Sequence, residues 1–280
     1  MKSKCIFHLF HDIGQTKEGI RQSVFKNRFF LKDKYSYPRY VHKDIISPKK
    51  DPFSSVAEIY TQIKKSHDIK NKKQLYFLGG DHSISIATLA HSLRRVQNPK
   101  CLKVIWIDAH ADANTYINSP TKNLHGMPLA YAMLFDKHKK FDFFHHYMRV
   151  LPENLLYIGI RDLDPAEKEI IERHDISVIT CKEVNEDPLR VKNKLSNFID
   201  GNPVHLSFDV DALDPQDFPC TGTPVKNGIY LKPMLDLLSC QELQENKIAT
   251  DIVESNYDLG SIQNQLESKE SFLKILNRII

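Results

Sequence analysis

With 280 residues, 41% of them hydrophobic and 26% charged, the chain has material for one large α/β domain or two small ones, in the proportions of an ordinary water-soluble globular protein. Its net charge of +4 is too thinly spread for a nucleic-acid binder, which concentrates basic residues on one face. No apolar run reaches the length of a membrane span, and the five cysteines (Cys5, Cys101, Cys181, Cys220, Cys240) include no C-x-x-C pair, which reads as reduced thiols in a cytoplasmic protein and not as a zinc site.

In chain order, Met1 to Ile13 is too short, and too interrupted by His8, His11 and Asp12, to be a secretory signal. Residues 21–53 are basic and aromatic without periodicity, and no element is predicted there. The lysines at 64–65 and 70–73 read as solvated surface. A strand is predicted over 75–78, an amphipathic helix over 83–96 and a strand over 104–107. Residues 138–148, HKKFDFFHHYM, read as a surface helix or insertion with an aromatic side, His145 and His146 being exposed and not ligands. Then come a strand over 155–160, a helix over 165–174, a strand over 176–179 and a helix over 188–198. A strand over 204–208, a helix over 232–242 and a strand over 248–253 complete the pattern. Continuous apolar, β-branched strands suit a sheet covered on both faces, and their alternation with helices implies a mostly parallel, doubly wound α/β sheet.

Three strand exits carry chemistry: GGDHS at 79–83, DAHAD at 108–112 and SFDVDALDP at 207–215. In an open parallel sheet functional groups gather beyond the carboxyl ends of the strands. Alternate residues of a strand share a side, so Asp108, His110 and Asp112 can converge, as can Asp209 and Asp211. With His82 that makes two imidazoles and four carboxylates. Four clustered carboxylates cannot all stay ionised without counter-charge, and two divalent cations would supply it. A donor set rich in oxygen, with two histidines and no cysteine, favours Mn²⁺ over structural zinc. Each motif alone has a plainer reading, since strands commonly end in Asp-containing turns. Three of them together, at three strand ends, do not.

These three segments resemble the signatures of the ureohydrolase family, which includes arginase and agmatinase; the likeness runs over about residues 74–260. The resemblance implies one domain over 1–280 with a three-layer α/β/α, arginase-like fold and two Mn²⁺ per chain. His82, Asp108, Asp112 and Asp209 would hold one metal, and Asp108, His110, Asp209 and Asp211 the other, with Asp108 and Asp209 bridging. Asp112 would also accept a hydrogen bond from the attacking oxygen, and His125 resembles the family's proton-shuttling histidine. Asn114, Thr121 and Asn123 would recognise a substrate α-carboxylate, Asp164 the α-ammonium, and Glu254 the guanidinium, with Thr223 lining the same pocket. Outside the family context, Asn and Thr in a loop are ordinary turn formers, and Asp164 could simply cap a helix that has Pro165 at its first position.

The implied partner is a small guanidino compound, with neither nucleic acid nor membrane, in a homo-oligomer of three or six chains. The implied reaction is hydrolysis of L-arginine to L-ornithine and urea, with agmatine or another guanidino substrate, or a catalytically silent homologue, as the competing readings. Four features depart from the family pattern. Only His11 to Gln15 and Gly19 echo its amino-terminal glycine-rich loop, which leaves residues 10–55 divergent. Lys122 stands where arginases often have glycine, Asn227-Gly228 replaces a usual glycine pair, and the tail after Gly260 is only loosely similar.

Overall fold

A computed structural model describes residues 4–31, 40–47, 51–66 and 74–280. Eight strands, β1 (Lys4–Phe10), β2 (Tyr40–Ile46), β3 (Leu75–Leu78), β4 (Lys103–Ile107), β5 (Leu155–Ile158), β6 (Ser177–Ile179), β7 (Val204–Asp209) and β8 (Lys247–Val253), form one sheet in the order β2-β1-β3-β8-β7-β4-β5-β6. Every pairing is parallel.

Both faces are covered, which is why most strand residues are apolar on both sides of the sheet and why the polar ones, such as His205, Ser207 and Thr250, are buried with them. On one face Phe7, Phe77, Trp106 and Tyr157 pack against helices α2 (Pro52–Lys65) and α3 (Ser85–Arg95) through residues such as Val56, Ile59, Leu89 and Leu93. On the other, Ile6, Tyr76, Ile105, Ile158 and Phe208 meet Val191 and Leu195 of α7 (Pro188–Ile199), Met234 and Leu237 of α8 (Leu231–Leu238) and Phe272 and Ile275 of α10 (Ile262–Ile279). The result is the three-layer α/β/α architecture expected; outside residues 138–148 the predicted strands and helices, α5 (Pro165–Arg173) among them, are in place to within a few residues, and short helices α4 (Pro128–Ala132) and α6 (Cys181–Glu186) are added. The helix read over 232–242 is two pieces, α8 and α9 (Gln241–Asn246), because Ser239 and Cys240 leave helical geometry.

Residues 21–53, for which no element is predicted, hold nearly all of α1 (Ile20–Leu31), all of β2 and the start of α2; β1, before them, is not predicted either. The His8 ring is buried within β1, with Nε2 2.9 Å from His42 Nδ1 on the neighbouring strand. Helix α2 opens on Asp51, whose side chain accepts the Ser54 N–H at 2.9 Å, with Pro52 at its first position. Residues 138–148 form an irregular segment around a 3-10 turn at Lys139–Phe141, and no surface helix. Phe141 and Phe144 are buried in the core, Phe53 stacks on His138 with ring centroids 4.0 Å apart, and His145 and His146 are exposed as expected. Lys64 and Lys65 are exposed on α2, while the basic run at 70–73 lies outside the described residues.

Candidate metal centre

The sheet order brings the exits of β3, β8, β7 and β4 side by side, so the three motifs meet at one end of the molecule. At the β3 exit, Gly80 is required by close approach: a Cβ there would stand 1.6 Å from the His11 carbonyl oxygen. Asp81 then caps a 3-10 turn at His82–Ile84 by accepting the Ser83 N–H at 3.0 Å, and the His82 N–H donates to Glu254 Oε1 at 2.9 Å. The His82 ring lies parallel to Trp106, centroids 4.2 Å apart, with Nε2 2.8 Å from Ser207 Oγ. Its Nδ1 therefore faces Asp108 Oδ2 at 3.1 Å, Asp112 Oδ2 at 2.9 Å and Asp209 Oδ2 at 3.2 Å.

At the β4 exit the Asp108 carboxylate accepts the Trp106 indole N–H at 3.0 Å and the His110 backbone N–H at 2.7 Å. His110 Nδ1 lies 3.4 Å from Asp108 Oδ1 and 3.2 Å from Asp211 Oδ2. At the β7 exit Asp209 accepts the Asp211 N–H at 2.8 Å, and Asp211 accepts Ala109 N–H at 3.2 Å and the Thr223 hydroxyl at 2.9 Å. Two donor groups result, His82–Asp108–Asp112 and Asp108–His110–Asp211, each with ligand atoms within 4.8 Å of one another and sharing Asp108. Asp209 stands with the first group, through its contact with His82.

The residues fit a metal on chemical grounds. His82 Nδ1 is buried and has no hydrogen-bond partner, although three carboxylate oxygens surround it. Three carboxylates converging on one imidazole nitrogen repel one another unless a cation lies among them. Burial and the neighbouring Asp108 push the Asp112 carboxyl up to about 6. Burial, Asp211 and Asp108 push Asp209 well above the carboxylate range. Burial works against a charged imidazole at His82 and His110, yet the carboxylates around them raise both. Each of these shifts reports uncompensated negative charge, which a divalent ion removes.

Around this cluster lies a cleft of about 250 Å³. Every residue predicted for the site lines it except Asp108, which is buried beneath. Asn114 donates through Nδ2 to Asp164 Oδ2 at 2.8 Å, so these two share one wall with Thr121 and Asn123. His125 Nδ1 lies 3.3 Å from Glu254 Oε1; burial pulls that imidazole down, but Glu254 and the more distant Asp112 and Asp81 lift it to about 9. The Lys122 ammonium donates to Tyr116 O at 2.6 Å and Ile117 O at 2.9 Å, so it closes its own loop and does not reach the cleft.

Three further residues had no role in the sequence reading. Glu167 lines the cleft, accepting Asp164 N–H at 3.0 Å and Ala113 N–H at 3.1 Å; burial pushes its carboxyl up to about 7. The D-P-x-E spacing of a capping box was its signal. Arg161 spreads its guanidinium over the carbonyls of Asp211, Leu213 and Val225, which pins the β7 exit. Gln15 donates through Nε2 to Glu254 Oε2 at 2.7 Å, a contact between residues 239 positions apart that no local pattern announces.

A sequence profile described as the Arginase family matches residues 18–267. The arginase of Emericella nidulans is 36% identical over 228 residues, which cover 79% of this chain and 69% of that protein. The arginase of Neurospora crassa is 34% identical over 241 residues, covering 79% and 66%, so the aligned part spans about two thirds of these relatives' length. The crystal structure of Entamoeba histolytica arginase in complex with L-ornithine superposes with a TM-score of 0.88 at 28% identity, covering 99% of this chain and 97% of that one. Likeness of this extent, running through the strands that deliver the histidines and aspartates just described, leaves one conclusion. The chain belongs to the arginase family.

Proposed function

We propose that the protein is a binuclear manganese hydrolase that cleaves L-arginine to L-ornithine and urea. The observation that carries this reading is the geometry of the cleft. Two donor groups sharing Asp108 lie at its floor, the Glu254–His125 pair stands beside them, and Asn114 and Asp164 stand at its wall. His82, Asp108, Asp112 and Asp209 would hold one Mn²⁺, and Asp108, His110, Asp209 and Asp211 the other. When bound, a metal pair of this kind lowers the pKa of a water molecule, so that a strong nucleophile exists at neutral pH.

The chain's own groups do the rest. Asp112, beside the floor of the cleft, accepts a hydrogen bond from the attacking oxygen. Glu254 receives a guanidinium N–H and fixes the plane of that group. Water adds to the guanidinium carbon, and the bond from that carbon to the substrate's Nε breaks, giving urea and an amine. The amine leaves with a proton, and His125, lifted to about 9, carries one at neutral pH. Asn114, Thr121 and Asn123 would bind the α-carboxylate and Asp164 the α-ammonium, with Thr223 closing the pocket; agmatine has no carboxylate to meet them. The Entamoeba histolytica relative was crystallised with L-ornithine, the amine product of this reaction.

A trimeric or hexameric assembly and a cytoplasmic site of action belong to the same reading. All five cysteines are free, which suits a reducing compartment, and sedimentation measures the assembly. Among the described residues no helix is long and apolar enough to cross a membrane. The test is urea release from a panel of guanidino compounds after Mn²⁺ loading, with bound metal counted by elemental analysis. The expected result is two Mn²⁺ per chain and faster turnover of arginine than of agmatine. No urea from any compound with both metals bound would overturn the enzyme reading, and a preference for agmatine would overturn the roles of Asn114, Thr121, Asn123 and Asp164.

A further inference from the structure

Residues 11–15, the part of the divergent amino-terminal region that echoes the family's glycine-rich loop, brace His125 at two points. The His125 backbone N–H donates to Gly14 O at 3.1 Å, and Gln15 holds Glu254 Oε2, whose partner oxygen faces the His125 ring. The segment is itself anchored. Gly14 N–H donates to Asp81 Oδ2 at 2.9 Å, and the His11 ring bridges Ser47 Oγ at 2.9 Å and Ser83 Oγ at 3.0 Å. A carboxylate offers roughly four lone-pair positions. On Glu254, His82 N–H and His125 Nδ1 occupy Oε1, and Gln15 occupies one side of Oε2, which leaves about one position for a guanidinium. A neutral carboxamide fills its place without supplying the counter-charge that a substrate cation must provide.

We infer that Gln15 is a positioning residue: it aims the remaining Glu254 lone pair at the substrate and keeps Oε1 against the His125 ring. The substrate half of this inference rests on the proposed guanidinium hydrolysis; the His125 half does not. Without Gln15 the Glu254 carboxylate can turn, still binding a cation but losing His125. Gln15→Leu should therefore lower kcat about tenfold or more while KM moves less than about threefold, since a small misplacement of a reacting group costs rate more than binding.

A double-mutant cycle separates this from general loosening. If Gln15 acts in part through His125, Gln15→Leu costs less kcat in the His125→Asn background than in the wild type; losses that multiply in full overturn the inference. Gln15→Asn, one methylene shorter, should fall between wild type and Gln15→Leu, and it serves if the leucine variant does not fold. A readout independent of turnover is NMR of histidine-labelled protein at one pH, with the His125 ring assigned by its absence in His125→Asn. That resonance should move in Gln15→Leu, and a resonance that stays put overturns the inference even if the wild-type protein released no urea.

Discussion

Replacing Gly80 by alanine tests the packing that aims His82. The new Cβ would stand 1.6 Å from His11 O, whereas real Cβ contacts essentially never fall below 3.0 Å, so the backbone must move by about 1.4 Å. The obstacle is main chain, and it cannot rotate aside. Gly80 is held by Glu254 N–H, which donates to Gly80 O at 2.9 Å, and its neighbour Gly79 donates to Ile252 O at 2.9 Å. The displacement therefore passes along the turn to His82, whose Nδ1 lies 2.9 to 3.2 Å from three carboxylates. Metal sites tolerate about 0.2 Å of error in ligand distance, so a shift several times larger should weaken the site holding His82 by tenfold to a hundredfold. The strain itself should cost about 1–3 kcal/mol, or roughly 2–10 °C in the melting temperature of the metal-free protein. Calorimetric Mn²⁺ titration and thermal melting measure the two effects. Gly126→Ala is the control, because a Cβ there meets nothing within 4 Å and should leave the melting temperature unchanged or slightly raised. Unaltered metal affinity and melting in Gly80→Ala would refute the argument that this contact sets His82.

Other expectations follow from the same geometry. Asp108→Ala should abolish binding at both metal positions, since Asp108 belongs to both donor groups; two metals retained at full affinity would show that the ligand assignment is wrong. His125→Asn should lower kcat by about a hundredfold or more while leaving metal content unchanged, measured by urea release and elemental analysis. Stability should fall on acidification because burial holds the His8 and His91 imidazoles down at about 3. Their unfolded forms take up protons below about pH 6.5 while the folded forms do not, so stability present above that pH is lost between about 6.5 and 3. Between pH 6.5 and 5 each should cost about 2 kcal/mol, and His91→Gln should make urea-denaturation free energies less steep with pH in that window; an unchanged slope would exclude His91.

The strands of the carboxyl-terminal two thirds were readable because burial on both faces leaves continuous apolar runs, and because glycines, capping residues and prolines mark where those runs stop. The ligand cluster was readable for a related reason. Asp108, His110 and Asp112, like Asp209 and Asp211, lie within a few residues of a strand end, so the motifs were legible even though the convergence is made by the turns after the strands, Asp112 at φ 50° and Asp211 in a 3-10 turn, and not by strand periodicity. The amino-terminal quarter was not readable, because its polar residues are satisfied far away in sequence. His8 sits inside a buried strand only because His42 pairs with it, and His11 only because Ser47 and Ser83 do. Lys122 turns back onto its own loop carbonyls, a choice made by the fold of residues 116–122. Sequence by itself determined the layered parallel sheet, the residues that form the two donor groups and the family. Tertiary structure alone decided which strands are neighbours, and so which distant side chains, Gln15 at Glu254 and Ser207 at His82, orient the groups that the motifs supply. Local periodicity can aim a side chain out of its own strand, but hydrogen bonds across more than a hundred residues exist only once the sheet has closed around them.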